Sequence, residues 1–128
     1  MVTTALTSAD VRHLERDLRR MRAELATEVA RLSGSLDEVR VARDGTQDDE
    51  HDPEGPTLTM EWSRLSGVQR EFAEKLARID RALQRVDEGT YGLCLRRGEP
   101  IGRARLDAQP ATELCIDCAR ELEAERRH

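Results

Sequence analysis

The sequence predicts a mainly α-helical protein built on a long antiparallel coiled-coil hairpin, with a small cysteine-bearing base and a short C-terminal helix. Three observations carry this. Two long stretches place apolar residues in threes and fours, an acidic turn-rich segment separates them, and a segment rich in glycine and cysteine follows the second. Charged residues make up 37% of the chain and aromatic residues 2%. Trp62, Phe72 and Tyr91 are the only aromatics, so there is too little bulky apolar material for a wide globular core.

Residues 1–7 read as a loose leader. Ser8 is placed to cap a helix, because its hydroxyl can accept from the open N–H groups of the first turn, and Asp10 complements the positive end of the helix dipole. From there Val11, Leu14, Leu18, Met21, Leu25, Val29, Leu32, Leu36 and Val39 form one seam. The positions between them are mostly charged, so the helix has a single narrow apolar stripe. Ser33-Gly34-Ser35 is a weak spot costing about 1 kcal/mol in helix propensity. The cluster Arg12, Arg16, Arg19, Arg20 and Arg22 is interleaved with Glu15, Asp17 and Glu24, which suits a solvated helix face.

Residues 44–56, DGTQDDEHDPEGP, interrupt the pattern with two glycines, two prolines and six acids. A second seam then runs through Leu58, Trp62, Leu65, Val68, Phe72, Leu76, Ile79, Leu83 and Val86, with Thr57 as a cap and Gly89 as a left-handed stop. Two helices of about 50 Å joined by a short turn pair antiparallel, stripe against stripe. The expected organisation is a leader at 1–7, a hairpin at 8–88 with its acidic tip loop at 44–56, a finger-like module at 89–119 and a terminal helix at 120–128.

All three cysteines lie in the finger-like segment: Cys94, and Cys115 with Cys118 as a C-x2-C pair. A structural zinc site takes four donors. The position that would complete a first C-x2-C pair holds Arg97, which offers no lone pair to a metal. Three outcomes stay open: zinc held by three thiolates with water or another side chain as fourth ligand, a metal-free fold with Arg97 paired to an acid, or a redox role for Cys115 and Cys118. His13, His51 and His128 all fall outside the motif.

The formal charge of −5 argues against general binding to nucleic-acid phosphates. No apolar run approaches the roughly 20 residues that span a bilayer, and the N-terminus lacks the pattern of a secretory signal. Thiols in C-x2-C spacing suit a reducing compartment, so a cytoplasmic protein is expected.

Taken together, Gly89-Thr90-Tyr91-Gly92-Leu93-Cys94, Gly98-Glu99-Pro100-Ile101, Arg105-Leu106-Asp107-Ala108-Gln109-Pro110 and Leu114-Cys115-Ile116-Asp117-Cys118 resemble the zinc-finger signature of the DksA/TraR family. The preceding hairpin is similar to that of its longer, DksA-like members. The resemblance implies a coiled-coil hairpin on a zinc-finger-like base. It implies a bacterial transcription regulator that binds RNA polymerase and not DNA, with no enzyme activity and no membrane association. The coiled coil would enter the polymerase secondary channel and bring acidic tip residues to the active centre.

Carried over residue by residue, the resemblance implies Cys94, Cys115 and Cys118 as the metal ligands, Arg97 standing at the fourth position. At the tip, DksA-type members carry two aspartates followed by an alanine. A gapless count puts His51, Glu54 and Pro56 at those places, and a one-residue shift puts Asp52 and Gly55 at the aspartates. The charge therefore persists in Asp48, Asp49, Asp52 and Glu54 without the pattern. Basic positions that contact the alarmone ppGpp fall on Arg78, Gln109 and Ala119. Two of the three have lost their charge, so weak or absent ppGpp dependence is expected. Arg78, Arg103 and Arg105 are candidate contacts to polymerase or alarmone. The competing reading is a coiled-coil interaction or homodimerisation module with a degenerate finger; the first predicts a monomer that co-purifies with polymerase, the second a stable dimer.

Overall fold

In a computed structural model, residues 5–46 and 55–127 are described. The order is α1 (Ser8–Thr46), α2 (Gly55–Glu88), α3 (Arg103–Ala108) and α4 (Ile116–Arg126). Among the described residues the extended structure is confined to one antiparallel bridge, Leu93 with Pro100. The chain divides into two compact units, residues 23–76 and residues 1–22 with 77–128.

Within the unit of residues 23–76, Leu32, Leu36 and Leu65 are buried, with Val39, Trp62, Val68 and Phe72 packed against them. Each of these is a predicted seam position, so the 3–4 spacing identified the contacting face of both helices. Gln69 Nε2 donates to Ser33 Oγ at 2.7 Å, fixing the two helices antiparallel at that level. The Ser33-Gly34-Ser35 weak spot is thus spanned by an unbroken helix, with Ser33 committed to an interhelical bond. Trp62 lies under the Arg43 guanidinium at 5.8 Å from the ring centroid.

In the other unit, Leu14 and Leu18 of α1 and Ile79 and Ala82 of α2 are buried, together with Tyr91, Cys94, Ile101, Leu106 and Cys118. Arg22 Nε reaches Asp80 Oδ1 at 2.6 Å, again pairing the helices antiparallel. Arg19–Glu15 and Arg20–Asp17 are pairs along the exposed face of α1, as expected of a solvated stripe.

Several boundaries differ from expectation. The cap of α1 is Thr7, not Ser8: the Asp10 N–H donates to Thr7 Oγ1 at 3.1 Å and the Thr7 N–H donates back to Asp10 Oδ2 at 3.0 Å. This reciprocal box satisfies two donors where a lone Ser8 would satisfy one. The leader is also anchored at its end, since Leu6 lies over Gly92. Helix α1 continues through Asp44 to Thr46 and α2 begins at Gly55, so the expected loop at 44–56 is trimmed at both ends and Thr57 lies inside α2. Pro56 is tolerated there because the first turn of a helix needs no N–H donor. Asp48, Asp49, Asp52 and Glu54 lie outside the described residues. The terminal helix starts at Ile116 and so incorporates Cys118, and the six-residue α3 was not anticipated. No helix among the described residues is long and apolar enough to cross a membrane.

Candidate metal centre

The site is made by two turns and the start of a helix. Gly92 and Gly98 have φ of 91° and 68°, a region that glycine enters freely. They let residues 93–100 fold back on themselves. The Cys94 N–H donates to the Glu99 carbonyl and the Gly98 N–H to the Cys94 carbonyl, both at 2.8 Å. Cys94 is thereby held at the head of a tight knuckle.

The other two thiols come from α4. Cys115 is its N-cap residue, its sulfur accepting from the Cys118 N–H at 3.5 Å. One helical turn then carries Cys118 back onto the same side. The result is a cluster in which the sulfurs of Cys94, Cys115 and Cys118 all lie within 4.8 Å of one another. Cys94 and Cys118 are each 1% exposed. All three predicted ligands are therefore brought together, and no disulfide joins them.

Cys94 and Cys118 differ in acidity. Burial opposes ionisation of Cys94, but backbone N–H groups of Cys115, Arg97 and Arg96 and the Cys118 thiol outweigh it and draw the group down to about 7. Cys118 is pushed up to about 12, by burial first and then by hydrogen bonds with Cys115 and Cys94, against the attraction of Arg97. Of these two thiols Cys94 is the more readily ionised and Cys118 the less.

Zinc–sulfur bonds of about 2.3 Å need sulfurs nearly 4 Å apart, so three corners of a tetrahedron fit these residues. The fourth does not. Arg97 is directed at acids: its guanidinium is 2.7 Å from Glu121 Oε1 and 3.9 Å from Asp117 Oδ2. Among the described residues no further His, Cys, Asp or Glu joins the thiol group.

The other candidate cations are engaged inside the same unit. Arg78, Arg81 and Arg85 converge on Glu113 at 3.9, 3.2 and 3.4 Å. Arg103 pairs with Asp10 and, at 2.7 Å, with Asp107. Arg105 is half-buried, its Nε donating to the Leu114 carbonyl at 2.9 Å, so it fixes the approach to Cys115. Glu113, Asp117, Glu121 and Glu125 join the site without a sequence signal of their own. The last three are legible as an i, i+4 acidic row only once α4 is extended back to Ile116.

Fold and site define a class: a helical-hairpin protein with a C4-type finger at the ends of its helices, here reduced to three thiols. The sequence model of the prokaryotic dksA/traR C4-type zinc finger matches residues 89–124. General stress protein 16O of Bacillus subtilis (strain 168) is 30% identical over 119 residues, covering 93% of this chain and 72% of that protein. The RNA polymerase-binding transcription factor DksA of Escherichia coli (strain K12) is 29% identical over 114 residues, 88% of this chain and 71% of that protein. The solved structure of transcription factor DksA2 from Pseudomonas aeruginosa superimposes with a TM-score of 0.79 at 26% identity, covering 94% of this chain and 88% of that one. The chain belongs to the DksA/TraR family.

Proposed function

We propose that this protein is a transcription regulator that binds RNA polymerase and acts without enzymatic chemistry or DNA binding of its own. The observation that carries the reading is the likeness to transcription factor DksA2, which takes in hairpin and finger together over 94% of the chain. The name of the Escherichia coli relative supplies the partner.

In this reading the hairpin enters the polymerase secondary channel as a monomer, in the cytoplasm. Asp48, Asp49, Asp52 and Glu54 supply the acidic end, where carboxylates can alter the charge balance of a Mg²⁺-dependent phosphoryl-transfer centre. Arg78, Arg103 and Arg105, each of which also has a partner within its own unit, are the basic contacts to polymerase or alarmone. Cys94, Cys115 and Cys118 are the residues that would hold zinc, whose contribution when bound is structural. The charge missing at Gln109 and Ala119 makes the response to ppGpp weak or absent.

The test is co-purification with, and transcription by, purified bacterial RNA polymerase. Binding is expected together with a change in initiation that is lost when Asp48, Asp49, Asp52 and Glu54 become Asn or Gln while binding persists. A stable homodimer indifferent to polymerase would overturn the reading.

A further inference from the structure

Two adjacent arginines of the knuckle face one row of acids on α4. Asp117, Glu121 and Glu125 are spaced i, i+4 and so share a face. Arg97 takes Glu121 at 2.7 Å and Asp117 at 3.9 Å, while Arg96 takes Glu125 at 3.1 Å. In a four-thiolate finger, the residue at the position of Arg97 joins knuckle to helix through the metal.

We infer that Arg96 and Arg97 form an electrostatic clasp that closes α4 over the thiol cluster, taking the mechanical place of the missing metal–sulfur bond. The pairs are half-exposed, Arg97 at 41% and Glu121 at 52%, whereas Cys94 and Cys118 are each 1% exposed. A closure made of exposed ion pairs is individually weak and is screened by salt. A metal–thiolate bond is not. The clasp therefore makes access to Cys94 and Cys118 a function of ionic strength, while Cys115, already half-exposed, serves as internal reference.

The experiment is alkylation of the full chain by iodoacetamide in the presence of a zinc chelator, with adducts located by mass spectrometry. Raising salt from about 20 mM to about 1 M, where the screening length falls to about 3 Å, should speed modification of Cys94 and Cys118 about fivefold relative to Cys115. Glu121→Arg should give the same acceleration at low salt, and the exchange Arg97→Glu with Glu121→Arg should restore protection. Arg97→Cys loaded with zinc should protect the thiols in a salt-insensitive, chelator-sensitive way. Loss of wild-type protection on chelation alone would show that metal is the fastening and overturn the proposal. So would protection indifferent to both salt and Glu121→Arg, which would leave packing as the cover. None of these readouts involves polymerase.

Discussion

The phenol of Tyr91 donates a 2.8 Å hydrogen bond to the carbonyl of Pro110, joining the residue that opens the finger to the turn that follows α3. Tyr91 is 7% exposed. Burial, the largest influence on it, pushes the phenol up to about 12.

Replacing Tyr91 by Phe removes this bond and leaves the Pro110 carbonyl without its donor, an expected loss of about 1–2 kcal/mol in urea unfolding at neutral pH. The pH dependence has a definite sign. Because the folded-state value is raised, the unfolded chain ionises first as pH climbs, and stability falls between about 10 and 12. Tyr91→Phe should flatten that segment of the stability–pH profile. An unchanged slope would show that the phenol is not kept neutral by the fold.

Asp10 behaves in the opposite sense. The Thr7 backbone N–H, with its hydroxyl and the Arg103 guanidinium, outweighs burial and holds the carboxyl below its ordinary range. Its contribution is present above the unfolded value and disappears as pH falls through the folded one. Asp10→Asn should therefore lower Tm at pH 7 and converge on the wild-type Tm in acid below about pH 4. Parallel melting curves at both pH values would contradict a capping box coupled to Arg103.

Much of this was legible beforehand, for identifiable reasons. Every seam residue from Val11 to Val39 and from Leu58 to Val86 is buried or half-buried, because a narrow stripe on each helix has only the other stripe to pack against. The three thiols could be grouped because C-x2-C on a helix start brings both sulfurs to one side. What stayed hidden depends on chain reversal. Glu113 meets arginines 28 to 35 residues earlier in the chain, a relation that no local spacing encodes. Thr7 outcompeted Ser8 as cap because only Thr7 has an acid three residues on. Proline and glycine near the acidic turn are helix breakers in a helix interior, whereas Gly45 and Pro56 fall in end turns that accommodate them.

Gly92 and Gly89 separate two costs that are usually confounded. Both have positive φ, 91° and 78°. A methyl group at Gly92 would stand 2.8 Å from Leu6 Cδ1, while at Gly89 it would meet nothing within 4 Å. Gly89→Ala should cost only the backbone strain, about 1 kcal/mol, and Gly92→Ala about 1–2 kcal/mol more. Combining Gly92→Ala with Leu6→Ala should recover part of the excess, measured as a double-mutant cycle. Equal costs at the two glycines would mean that the chain before α1 does not press on the finger.

Glu113 holds three arginines of α2, and its removal leaves a half-hidden cation behind. Arg85 is 11% exposed, and its Nε is buried with no hydrogen-bond partner, so Glu113 is its principal compensation. Burial opposes the Glu113 carboxylate, but Arg81, Arg85 and Arg78 hold it below the ordinary range. Arg78 and Arg81 are each 52% exposed and can turn to water. Their truncation to Ala should therefore change stability by less than about 1 kcal/mol. Glu113→Ala should cost about 2–3 kcal/mol, short of the full penalty for a deeply buried pair because Glu113 itself is 20% exposed. Adding Arg85→Met to Glu113→Ala should return most of that loss, since an apolar side chain has no charge left to solvate. If urea unfolding shows Glu113→Ala no worse than Arg78→Ala, the carboxylate is not what keeps Arg85 folded against the finger.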